Sequence, residues 1–112
     1  MLEIKITVAI DYPQLECNIS KDNWLDYRNT ALSKFVDGIS LLNGGYSELQ
    51  HFGGYIMNDG TRVSEASITY TTLVDNDVNR DKTLMLAKRL KADLFQESIL
   101  WTEQELQKVE FI

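Results

Sequence analysis

Two hydrophobic periodicities alternate along this chain, and their order leaves few folds open. Residues 2–10 set Leu2, Ile4, Ile6, Val8 and Ile10 against Glu3, Lys5 and Thr7, the period-two pattern of a half-buried strand. Asp11-Tyr12-Pro13 breaks it, and Leu15, Cys17 and Ile19 either continue it or form an edge segment. Ser20 has the chemistry of an N-cap, and Asp22 in the first turn favours the helix dipole. Trp24, Tyr27, Ala31, Leu32 and Phe35 then recur at helical spacing, so a helix is predicted over 21–36 with Trp24, Tyr27 and Phe35 in the core. Asp37-Gly38 reads as its stop, and Ile39-Ser40-Leu41-Leu42 as a return to extended chain.

Two Gly-Gly pairs, Gly44-Gly45 and Gly53-Gly54, follow; each leads into a tyrosine, Tyr46 and Tyr55, and together they bracket the only histidine, His51. Asn58-Asp59-Gly60 is a hairpin turn signal, and residues 62–74 are rich in β-formers. Asp75-Asn76-Asp77 opens a second helix, on which Leu86, Ala87, Leu90 and Leu94 share a face that Glu97 extends if the pitch holds. Ser98 to Trp101 read as the next strand. Thr102-Glu103-Gln104-Glu105 has the form of a capping box, and Val109 to Phe111 of a last short strand. The order strand, helix, strand, strand, helix, strand is that of an α+β, ferredoxin-like split βαβ sandwich in one domain, 1–112. An antiparallel sheet carries two helices on one face, with a short C-terminal extension. Aromatic and apolar groups on the other face then need a cover, and a homodimer or higher homo-oligomer is expected.

The junction Phe95-Gln96-Glu97-Ser98-Ile99-Leu100-Trp101 leaves almost no loop between helix and strand. Polar groups squeezed there must find partners. A carboxylate at a helix C-terminus is disfavoured by the dipole, so Glu97 calls for a specific partner, with Arg62, Arg80 and Arg89 as candidates.

Charge and composition exclude several functions. The 17 acidic residues are spread along the chain and the net charge is −6, which argues against a nucleic-acid groove and, through the even spread, against a DNA mimic. No apolar run reaches membrane-spanning length. A single cysteine and a single histidine, with no partners at metal-ligand spacing, leave no metal motif and no Ser-His-Asp or Cys-His set. The residue pattern calls for no cofactor. Met1 to Ile6 has a strand pattern rather than that of a secretory leader, and a cytoplasmic location is expected.

These residues also carry a likeness. Phe95-Gln96-Glu97-Ser98-Ile99-Leu100, Gly53-Gly54-Tyr55 before Asp59-Gly60, Glu65, Ser20-Lys21-Asp22-Asn23-Trp24 and Asp37-Gly38-Ile39-Ser40-Leu41-Leu42 resemble the recurring features of a small family of bacterial and phage proteins. That family has a helix ending in Phe-Gly-Gln-Glu-Ser-Val-Leu. The chain departs from it by lacking the glycine before the Gln-Glu pair and by extra residues over Tyr46 to Phe52. The resemblance implies the same fold and a phage or prophage product, working in the host cytoplasm.

Glu65, Gln96 and Glu97 are the first candidates for a ligand site; either carboxylate would serve as a general base if burial raised its pKa. Tyr46, Tyr55 and Trp101, together with Phe52 and Tyr70, are candidates to stack on a nucleobase, Arg62 and Arg28 to take a phosphate, and His51 lies in the glycine bracket. Structural readings stand beside each: helix capping, sheet core, a twisted hairpin. The preferred function is a non-enzymatic binding protein for a nucleotide-like small molecule, in its concrete form a phage counter-defence sponge. Two alternatives stay open, a protein-interaction or assembly module acting through the sheet face, and a carboxylate-dependent isomerase-like enzyme.

Overall fold

The computed structural model describes the chain apart from Gln14, Leu15 and Met57 and the side chain of Tyr55. Its elements are β1 (Leu2–Ala9), α1 (Lys21–Asn43), β2 (Ser47–Ile56), β3 (Arg62–Val74), α2 (Asp77–Asp93) and β4 (Leu100–Glu105). The sheet order is β2-β3-β1-β4 with every neighbouring pair antiparallel, the ferredoxin-like arrangement. The expected position of Leu15 in an edge segment lies outside the described residues; Cys17 and Ile19 are not in a strand.

Alternation decides the faces. Ile4, Ile6 and Val8 of β1 and Ile68, Tyr70 and Val74 of β3 turn to the helices and are almost fully buried, as are Trp24, Phe35 and Ile39 of α1 and Ala87 and Leu90 of α2. The helices run antiparallel. Tyr27 near the start of α1 donates its hydroxyl to the Asp93 carbonyl at 2.7 Å, and Asn43 at the end of α1 donates to Thr83 Oγ1 at 3.0 Å. The same burial, aided by the nearby Asp93 carboxylate and Cys17, raises the Tyr27 pKa.

Several local expectations are corrected. The first helix passes through Gly38 and ends at Gly44, which has φ 86° and returns its N–H to the Ser40 carbonyl. Ile39–Leu42 is therefore helical. Packing overrides the glycine: Ile39 is wholly buried in the helical frame, and a Cβ on Gly38 would lie 3.1 Å from Leu86, so the missing side chain is what lets α2 approach. Ser20 holds the N-cap position without a side-chain cap bond, whereas Asn76 caps α2 by accepting from Asn79 N–H at 2.8 Å.

The second helix does not carry its pitch to Glu97. It closes on Phe95 at φ 54°, with Phe95 N–H to the Ala92 carbonyl and Gln96 N–H to that of Lys91. This is a Schellman ending with phenylalanine where glycine is usual. The capping-box pattern Thr102 to Glu105 is strand, paired with β1 from Lys5 to Leu2, because that edge of β1 offers a ladder that a lone helical turn would forgo. Residues 109–111 are not a strand.

The glycine-bracketed segment is a strand as well. Residues 47–56 pair one for one with 71–62, with no bulge. Only residues 67–74 of β3 also pair with β1, so residues 52–66 form an overhanging arm. The arm lifts the radius of gyration to 15.4 Å, against about 13 Å for a compact chain of this length.

Candidate functional site

The face of the sheet turned away from the helices is lined by hydroxyls, and this differs from the aromatic and apolar surface expected there. Hydroxyls come from Thr7 of β1, Ser67, Thr69 and Thr71 of β3, Ser47 of β2 and Thr102 of β4, beside Glu3, Lys5, His51 and Gln104 and the apolar Ala9, Leu49, Leu73 and Leu100. Tyr70 and Trp101 are absent from it because their strand positions have the opposite parity. Tyr70 is buried under the helices, and its ring lies 5.2 Å from that of Phe35. Burial raises its pKa far above the usual tyrosine range, with Glu48 and Tyr46 adding to the effect. Trp101 is opposite Ile6 on the core side. Tyr46 is half-exposed and packs on Tyr70 at 6.2 Å.

Across the open face runs one line of hydrogen bonds. His51 Nε2 meets Thr69 Oγ1 at 2.9 Å, and Thr69 Oγ1 meets Thr7 Oγ1 at 2.7 Å, joining β2, β3 and β1. His51 is thus a strand residue, not a loop residue. A hydroxyl carries one proton and two lone pairs. The direction of this line can therefore reverse, and it presents either donors or acceptors to a group laid upon it.

The register places Glu65 toward one end of the sheet, to one side of the line. Leu100 is opposite Thr7 and Thr7 opposite Thr69, so the loop 94–99 emerges at the end of the sheet where β1 passes into Asp11 and β3 into Glu65. Asp11 Oδ2 accepts from Ala66 N–H at 3.0 Å and ties that end together. Glu65 is half-buried opposite Gly53, on the open face two positions from Ser67. Gln96 is half-buried and donates Nε2 to the Leu94 carbonyl at 3.2 Å. Glu97 is exposed.

The other predicted positions do not gather there. Arg62 is exposed far along the arm, opposite Ile56. Tyr46 lies at the opposite end of the sheet. Tyr55 is opposite Val63 in register, with its side chain outside the described residues. Among the described residues, no ion pair joins Glu97 to an arginine. Arg80 instead pairs with Glu103 and Asp81, and these contacts raise its pKa. Arg28 donates to the Ile10 carbonyl at 3.0 Å. Thr7 and Thr69 were missed because threonine reads as a generic β-former. The available signal was Ser67, Thr69 and Thr71 at alternate positions, opposite in phase to Ile68 and Tyr70. No group of three or more His, Cys, Asp or Glu side chains able to hold a metal occurs among the described residues, and no described helix is long and apolar enough to cross a membrane.

No protein-family model matches the chain, and no curated protein matches it in sequence. Solved structures do match in fold. A phage SAM lyase in its apo state superposes with a TM-score of 0.61 at 18% identity, covering 92% of this chain and 78% of the other. A phage SAM lyase in complex with S-methyl-5'-thioadenosine gives 0.60 at 21%, covering 93% and 80%. The periplasmic divalent cation tolerance protein CutA from Archaeoglobus fulgidus gives 0.57 at 10%, covering 98% and 88%.

Proposed function

We propose that this protein binds S-adenosylmethionine or a closely related nucleoside sulfonium on the open sheet face, at the end marked by Glu65 and Glu97, and cleaves it to the thioether. The observation that carries the reading is the hydroxyl line His51–Thr69–Thr7, which crosses an uncovered sheet face four residues along β3 from Glu65. Hydroxyls that donate or accept suit the ribose and base edges of a nucleoside. Carboxylates suit a sulfonium cation, since an opposite charge a few ångströms away in a partly dry site is strongly attractive.

The chemistry asks little of the chain. When S-adenosylmethionine becomes S-methyl-5'-thioadenosine, the ligand's own carboxylate attacks the side-chain carbon bonded to sulfur and closes a lactone, as the bond from that carbon to sulfur breaks and its electron pair stays on sulfur. Sulfur leaves as a neutral thioether, so no proton has to reach the leaving group. A site with one engaged histidine and no cysteine–histidine pair is suited to that step, where hydrolysis of an amide would not be. Likeness to lyase structures with and without a thioether nucleoside supports the reading. Sequestration of the same ligand without cleavage is the second reading, and exposure of Glu97 favours it, because an open carboxylate orders a reacting group poorly.

The site is completed by a second copy in this reading. Phe52 is 82% exposed and Ile56 67% exposed on the overhanging arm, with Leu49 and Leu100 exposed on the open face. A two-stranded arm is marginal alone in water and gains stability when another surface covers it. Titration calorimetry with S-adenosylmethionine and S-adenosylhomocysteine tests the site. The two differ at sulfur by a methyl group and a positive charge, so the sulfonium should bind roughly tenfold more tightly, and Glu65→Gln should remove that preference. Equal binding of both by the unmodified chain would sink the proposal.

A further inference from the structure

On the far side of the molecule, the outer surfaces of α1 and α2 form an open trough of about 630 Å³, lined by Gly38, Leu41, Leu42, Met85 and Leu86 with Lys82 and Arg89 at its edge. Leu41 is 90% exposed and Met85 69% exposed, unusual for large apolar side chains on neighbouring helices. Gly38 deepens the floor, since a side chain there would meet Leu86. The trough is cationic on a chain whose net charge is −6. No acidic residue lines it, and among the described residues neither Lys82 nor Arg89 forms an ion pair.

We infer that this trough docks an acidic amphipathic helix of a partner protein. An apolar channel between two helices accepts leucine-sized anchors at i, i+4 and i+7 of a third. Methionine in its wall adapts to the shape of those anchors. Lys82 and Arg89 are seven residues apart, about 10 Å along α2, so they match acidic residues two turns apart on the incoming helix. Charge complementarity selects this occupant over a second copy of the chain, because two-fold pairing of the trough would set Lys82 and Arg89 against their own counterparts. The same complementarity selects it over a membrane, from which the acidic remainder of the chain would be repelled.

The test uses a fluorescently labelled peptide of about 18 residues with leucines in an i, i+4, i+7 row and glutamates on its flanks, beside a version with lysines in place of the glutamates. Fluorescence anisotropy on the full chain should give binding of the glutamate peptide and at least roughly tenfold weaker binding of the lysine peptide. The Leu41→Gln/Met85→Gln variant, altered only at exposed positions, should bind the glutamate peptide roughly tenfold more weakly with an unchanged Tm. Lys82→Glu/Arg89→Glu should reverse the preference. Equal binding of the two peptides, indifference to all four substitutions, or partition onto anionic phosphatidylserine vesicles in place of peptide binding would overturn the inference.

Discussion

Phe95 permits a clean separation of backbone from side-chain energetics. Its φ of 54° is the only positive value at a non-glycine position among the described residues, and it sits where the Schellman ending of α2 favours glycine. Its ring lies 6.1 Å from that of Tyr27 and packs at the edge of the core. Cutting the side chain back removes that packing. A fully buried phenylalanine costs about 3–5 kcal/mol to truncate, so about 2 kcal/mol is expected for this half-buried one. Alanine and glycine both lose the ring, but only alanine keeps a Cβ that the left-handed conformation disfavours, by about 1 kcal/mol after the greater freedom of unfolded glycine is deducted. Phe95→Gly should therefore be the more stable of the two variants by about 1 kcal/mol, or about 4 °C in Tm, although glycine usually ranks below alanine near helices. Urea unfolding followed by far-UV circular dichroism measures both. An alanine variant as stable as the glycine variant, or more so, would refute the assignment of this ending.

Asn76→Ala should lose about 1 kcal/mol because the Asn76 side chain caps Asn79, while Ser20→Ala should be near neutral because its hydroxyl makes no cap bond; thermal unfolding distinguishes them. Tyr70 should resist ionisation in an alkaline spectrophotometric titration. Its folded pKa is raised above the unfolded value of 10.0, so the stability it contributes is complete below pH 10 and is lost as pH climbs toward the folded value. Sedimentation should find Phe52→Asp/Ile56→Asp shifted toward monomer, and an unchanged oligomer would remove the arm from the interface.

The sequence made β1 legible because its apolar residues keep one period from end to end, β3 through its run of β-formers, and the start of α2 through Asp75-Asn76-Asp77. It hid the end of α1, residues 37–43, behind Gly38, a residue that signals a stop in isolation but here makes room for Leu86. β2 was hidden by Gly53-Gly54, which carry no side chains to alternate. The strand expected from Ser98 to Trp101 is the start of β4, and the rest of β4 was hidden by Thr102-Glu103-Gln104-Glu105, whose helix-start chemistry yields to the edge that Leu2 to Thr7 of β1 offer. Of the proposed site, Gln96 and Glu97 stand out in the sequence as polar residues crowded between α2 and β4. The hydroxyl line was not, because its members come from three strands and meet only through the register.

The central claim is that the open face takes a nucleoside sulfonium. The most direct test is to titrate S-adenosylmethionine into the protein in a calorimeter and then resolve the ligand recovered from the same cell by chromatography and mass spectrometry. Saturable binding with S-methyl-5'-thioadenosine recovered, and both effects diminished in Thr69→Val and Glu65→Gln, is the predicted result. Absence of heat with the ligand recovered intact would contradict it.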